Sequence, residues 1–249
     1  MIKSIMICIF ILSNFSFAKD YALIVSIGTY KYINNLAGAT IDSQTYSKIL
    51  KRLNIKNIVV LENADATRKN ILYQLSEIAE KIEKNDRFYM FFSGHGSSLY
   101  DPLYSAKFQQ VGLTETMKDT GVIFPYDFNP EYIKNSIIIG SVDLRPLFEK
   151  IDKKIENGLI VFDACYSEMS IRNGKQQNIN RTPNILTQSS GYPYDNITYI
   201  ASSITEAKRG KFSAILDECI GKNFVLENVK HCLNRKMQKS FQIPVVLMK

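Results

Sequence analysis

Short apolar runs recur along the chain, each closed by a small or polar cluster: Tyr21–Ile27, Asn57–Leu61, Phe88–Phe92, Leu159–Phe162 and Ile197–Ala201. Runs this continuous predict strands covered on both faces, as in a parallel sheet. Between them the period changes. Ala39 to Leu53 carries Ile41, Tyr46, Ile49, Leu50 and Leu53 at helical spacing and meets Asn54 as a stop. After Thr67, a suitable cap, Ile71, Leu72, Leu75, Ile78, Ala79 and Ile82 form a second apolar stripe. Residues 142–151 predict a third helix, with Ser141 as cap and Leu144, Leu147, Phe148 and Ile151 inward, and residues 212–219 and 223–236 two more. Strand, helix, strand, helix, strand requires crossovers, so the expected fold is a three-layer α/β/α sandwich around a mostly parallel central sheet.

Two stretches break the pattern. From Ser97 to Gly140 periodicity fails in a segment rich in Tyr, Asp, Pro and Gly, with only Val122–Phe124 reading as a short strand. A segment so long without regular structure is usually functional, and here it is expected to flank a substrate cleft. Residues 168–196 are polar and carry turn signals, which predicts an exposed, mobile loop. Pro244–Met248 reads as an edge strand or the opening of a further element.

Composition adds an address. The chain has 249 residues, 45% hydrophobic and 22% charged, enough for one domain with a sizeable core. Residues 1–18 stand apart from it: Lys3 precedes an apolar stretch from Ile5 to Leu12, and Ser16-Phe17-Ala18 suits a signal peptidase. The expectation is a cleaved signal peptide, a domain over 19–249, and a secreted or periplasmic protein. The apolar stretch is well short of the ~20 residues of a spanning helix, so no stable membrane anchor is expected. A net charge of +7 is spread along the chain with no dense basic run, which argues against a nucleic-acid partner. Cys165, Cys219 and Cys232 remain after cleavage. Either Cys219 pairs with Cys232 and leaves Cys165 reactive, or all three are reduced.

Chemistry concentrates at two strand ends. Phe88–Phe92 runs into Ser93-Gly94-His95-Gly96, and Leu159–Phe162 into Asp163-Ala164-Cys165. In open α/β sheets, ligands collect where strands end at their carboxyl edge. A histidine and a cysteine brought together there can form a nucleophile and its proton acceptor, while glycines beside the histidine let backbone approach a substrate.

On SGHG around His95, DAC around Cys165 and the opening segment YALIVSIGTYKYINNLAGATIDSQ, the sequence resembles the caspase-like cysteine peptidases, above all bacterial metacaspase-like proteins, over about residues 20 to 215. The resemblance implies a cysteine endopeptidase acting on protein or peptide substrates, with His95 as general base and acid, Cys165 as nucleophile, and the amides of Gly96 and Cys165 as the oxyanion hole. It also implies an S1 pocket lined by Asp42, Ser93 and Asp163, hence cleavage after Arg or Lys. Arg172, Lys175 and Arg181 in the polar loop are then candidate self-cleavage sites. Many relatives continue the cysteine motif with His-Ser-Gly, where this chain has Tyr166-Ser167-Glu168. Some metacaspases bind calcium through aspartates of two loops. Here Asp101, Asp119 and Asp127 stand in the first but Arg172 in the second, so no cofactor is expected, with calcium as the open alternative.

Two rival classes remain. A non-catalytic interaction module that keeps the fold is suggested by the altered residues after Cys165. A nucleotide-binding domain is disfavoured, because Ser26-Ile27-Gly28-Thr29 is too poor in glycine to cradle phosphate.

Overall fold

Three strands form the centre of the molecule: β1 (Asp20–Ser26), β3 (Arg87–Gly94) and β7 (Asn157–Ala164). With β2 (Ile58–Glu62), β8 (Ile197–Ala201) and β9 (Val245–Leu247) they make a six-stranded sheet in the order β2-β1-β3-β7-β8-β9. All neighbours are parallel except the β8–β9 pair at one edge. The computed structural model describes residues 18–164, 192–202, 211–221, 225–237 and 245–247. Residues 1–17, where the signal peptide is expected, and Cys165, Arg172, Lys175 and Arg181 lie outside them. Among the described residues, no helix is long and apolar enough to cross a membrane.

The continuous apolar runs become central strands because each face of the sheet carries its own core. Even-numbered Phe88, Met90 and Phe92 of β3 join Ile160, Phe162 and Ala164 of β7 on one face. That face is covered by α2 (Arg68–Lys81) and α6 (Arg145–Asp152), through Ile71, Leu75, Ile78, Phe148 and Ile151. Tyr89, Phe91, Leu159 and Val161 point the other way, towards α1 (Ala39–Arg52), α7 (Lys211–Cys219) and α8 (Leu226–Met237). Each side chain removed from water here contributes roughly 1.5–3 kcal/mol, so a polar group in these rows needs a reason.

Local signals set the helix ends. Thr67 caps α2 by accepting the Asn70 N–H at 3.2 Å, and Asn54, in the left-handed region (φ 60°), follows the end of α1. In α1 the stripe is narrower than its spacing implies: Tyr46, Ile49 and Leu50 are buried, but Ile41 is 58% exposed.

Three expectations are corrected. The segment 97–140 is not irregular: it holds α3 (Ser105–Gln110), α4 (Thr114–Met117), α5 (Ile133–Ser136) and an antiparallel sheet of β4 (Gly96–Ser97), β5 (Val122–Ile123) and β6 (Ile138–Ile139). Elements of two to six residues are too short to show a period. Ser141 does not cap α6; it donates to the Thr116 carbonyl at 3.2 Å, and a π-type turn over Gly140–Leu144 precedes the helix. The described end of the predicted exposed loop is also only partly exposed: Asp195 and Asn196 lie at the surface, but the residues before them pack inward. Tyr194 is fully buried, the Tyr192 hydroxyl donates to the Ile197 carbonyl at 2.7 Å, and Asp152 accepts the N–H groups of Asp195, Asn196 and Ile197. Burial pushes both tyrosine hydroxyls up, so they stay protonated.

Cys219 and Cys232 are joined in a disulfide between α7 and α8, the first of the two alternatives open from sequence.

Candidate active site

The adjacent strands β3 and β7 run in register to their last residues, with Ser93 facing Asp163 and Gly94 facing Ala164. Ser93 and Asp163 continue the odd-numbered row that faces α1 and α7, and both are fully buried. The Ser93 hydroxyl donates to Asp42 Oδ2 at 2.7 Å. Asp42 stands in the first turn of α1, where a carboxylate suits the helix dipole, yet it is as buried as the other two. The structure thus brings Asp42, Ser93 and Asp163 to one place at the carboxyl edge of the sheet, from three elements far apart in sequence.

A fourth residue completes this group. Ser213 of α7, fully buried, donates to Asp42 Oδ1 at 2.6 Å, so that each oxygen of the carboxylate is held by a hydroxyl. Sequence reasoning missed it because 171 residues separate the partners. Its only trace is a serine between buried positions of a helix stripe that includes Phe212, Leu216 and Cys219. The same helix is tied to α1 a turn further on, where Asp217 accepts Arg52 and Lys48, each at 2.7 Å, and Arg52 also donates to the Asp217 and Ile220 carbonyls.

His95 follows Gly94 directly and is held from three sides. Its backbone N–H donates to the Tyr30 hydroxyl at 2.7 Å, its ring lies tilted against that of Tyr30 with centroids 4.9 Å apart, and Nε2 is 3.2 Å from the Asn34 carbonyl. A carbonyl only accepts, so Nε2 carries the proton in this bond and Nδ1 is left as the basic nitrogen. Tyr30 and Asn34 lie in the polar loop after β1, where no sequence pattern distinguishes them. Gly94 has a packing reason to be glycine: a Cβ on it would lie 2.8 Å from the Phe92 ring and 2.9 Å from the Tyr30 hydroxyl.

Gly96 pairs with Ile123 in the small sheet. The Phe124 N–H donates to the His95 carbonyl at 3.0 Å, which makes Gly96–Ile123 a non-hydrogen-bonded pair and turns the Gly96 amide away from β5.

The candidate calcium ligands do not converge. Asp101 accepts the Ser97 hydroxyl at 2.7 Å and the Leu103 N–H at 2.9 Å, Asp127 accepts the Arg68 N–H at 2.8 Å, and the Asp119 carbonyl takes Arg145 at 2.7 Å. Among the described residues, no three His, Cys, Asp or Glu side chains are gathered to hold a metal ion.

Residues 19–248 match the family model of the caspase domain. Among solved structures, caspase-1 from Spodoptera frugiperda aligns with a TM-score of 0.61 at 14% identity, over 93% of this chain and 86% of that one. A protein from Geobacter sulfurreducens aligns with a TM-score of 0.60 at 14% identity, over 92% of each chain. At such identities the likeness is one of fold. No curated protein matches the chain in sequence.

Proposed function

The chain belongs to the caspase domain family, and from that membership we propose that it is a cysteine endopeptidase that cleaves after Arg or Lys through a Cys165–His95 dyad. The observation that carries this reading is the register of β3 and β7. Their last pair is Gly94 and Ala164, and the next residues along the two chains are His95 and Cys165. The SGHG and DAC motifs therefore leave adjacent parallel strands at the same carboxyl edge of the sheet, where such a dyad would form.

The chemistry follows from the groups available. Nδ1 of His95 takes the proton of the Cys165 thiol, and the thiolate attacks the scissile carbonyl carbon. The carbonyl oxygen becomes an oxyanion, for which the Gly96 amide, turned out of its ladder, is a donor together with the Cys165 amide. One such donor contributes ~3 kcal/mol in the transition state. His95 then protonates the leaving amine as the C–N bond breaks. Water, deprotonated by the same imidazole, hydrolyses the thioester, releases the acid and restores the thiol.

Selectivity for a basic P1 residue is supported by Asp42 and Asp163, two fully buried carboxylates flanking Ser93. Charge at a desolvated pocket floor favours a cationic side chain and rejects an anionic one. Arg172, Lys175 and Arg181 are the matching candidates for self-cleavage. The disulfide supports export to an oxidising compartment, in keeping with a signal peptide over residues 1–18.

The test is a P1-profiled peptide library on mature protein and on Cys165→Ala, with and without calcium, beside labelling by a thiol-directed activity probe. Hydrolysis after Arg and Lys that vanishes with Cys165 is expected. Labelling without any hydrolysis would reduce the chain to an interaction module, and cleavage after Asp would overturn the pocket while sparing the dyad.

A further inference from the structure

We propose that Ser213 is a specificity-determining positioning residue: by fixing Asp42 it sets the preference of the S1 pocket for arginine over lysine. The inference rests on the basic-P1 reading above and deepens it. Its basis is the pair of bonds on one carboxylate, Ser93 to Oδ2 at 2.7 Å and Ser213 to Oδ1 at 2.6 Å, among side chains that are all fully buried.

A carboxylate gripped at one oxygen still swings about its bonds; gripped at both from different elements, it has its plane fixed. The two grips are rigidly mounted. Ser93 sits on the central strand β3, and Ser213 on α7, which Arg52 clamps to α1 through Asp217 and the Ile220 carbonyl. The short hydroxyl of Ser213, at a position of the stripe where a larger apolar residue would shut out Asp42, therefore has a use in the pocket. A guanidinium is a planar fork that gains most from a carboxylate of fixed orientation, whereas an ammonium on a flexible stem is a point charge that tolerates a loose one. Ser213 touches the carboxylate and not the reacting atoms, so it should act on substrate recognition and leave the chemical step alone.

Steady-state hydrolysis of matched peptides with Arg or Lys at P1 by wild type, Ser213→Ala and Ser213→Thr tests the proposal, with probe labelling of Cys165 as the control for an intact dyad. In Ser213→Ala, KM for the Arg peptide is expected to rise about tenfold, equivalent to ~1.4 kcal/mol, with kcat and labelling nearly unchanged and a clearly smaller rise for Lys. Ser213→Thr, which keeps the hydroxyl, should restore most of the Arg preference. An unchanged Arg-to-Lys ratio in Ser213→Ala would overturn the proposal and leave the peptidase reading standing, as would a loss of kcat and labelling together in both variants. A wild type that cleaves after neither Arg nor Lys would instead refute the pocket reading on which the proposal rests.

Discussion

The Tyr30 hydroxyl accepts the backbone N–H of His95 at 2.7 Å, and Gly94 has no Cβ to obstruct the approach. Tyr30→Phe keeps the ring against the imidazole but leaves that amide without its acceptor. A lost bond of this kind costs about 1 kcal/mol. The expected outcome is a small fall in melting temperature with a larger fall in kcat than in affinity, measured by thermal denaturation and peptide hydrolysis. Gly94→Ala should be worse, by ~1–3 kcal/mol, because the new Cβ meets the Phe92 ring and the Tyr30 hydroxyl.

Asp152 gathers three consecutive N–H groups, from Asp195 at 3.0 Å, Asn196 at 2.8 Å and Ile197 at 3.0 Å, where the chain enters β8. Charge-assisted bonds are the strong ones, so Asp152→Ala is expected to cost roughly 2–4 kcal/mol in urea denaturation. Asp152→Asn should recover part of it. A variant as stable as wild type would show that water replaces the carboxylate at no cost.

The Cys219–Cys232 disulfide closes a loop with a sequence separation of 13 residues. On chain-entropy grounds a bridge of that span stabilises by ~3 kcal/mol. Reduction, or Cys219→Ser with Cys232→Ser, should lower the unfolding free energy by about that amount, and intact-mass measurement should show two hydrogen atoms gained on reduction of the pair by an added thiol reductant. Because α7 also carries Ser213, a weakened Arg preference in the reduced protein is expected to accompany the loss.

Asp217 gives a pH signature. Burial opposes its ionisation, but the bonds from Lys48 and Arg52 outweigh that, and its carboxyl is held below the ordinary range. A native value below the unfolded one means that the contribution is complete above the unfolded value of ~3.9 and is lost as pH falls through the native value. The stability difference between wild type and Asp217→Asn should therefore be constant near neutrality and shrink below about pH 4. Urea titrations at several pH values measure it, and a difference independent of pH would contradict the ion pair.

The central strands were legible because a strand covered on both faces has no polar alternation to confuse it, and their order placed Gly94 and Ala164 at one edge. Asp42, Ser93 and Asp163 were accessible only through the resemblance, since no periodicity links positions on two strands and a helix. Ser213 and Tyr30 escaped both routes: each acts through a single hydroxyl whose partner is distant, 171 and 65 residues away. Ile41 misled for the opposite reason, being apolar at the right spacing on a helix flank that no neighbour covers. Of the small sheet only β5 was legible, within Val122–Phe124; its two-residue neighbours β4 and β6 are defined by their partners and not by their own sequence.

Asp42 and Ser213 lie on either side of the stretch that holds Arg172, Lys175 and Arg181, while both halves of the disulfide lie on the same side as Ser213. A nick in that stretch would divide the proposed pocket floor between two polypeptides that no disulfide among the described residues joins. Catalysis by such a nicked enzyme would obey mass action, persisting while the β7–β8 ladder and the α1–α7 contacts hold and fading on dilution as the fragments part.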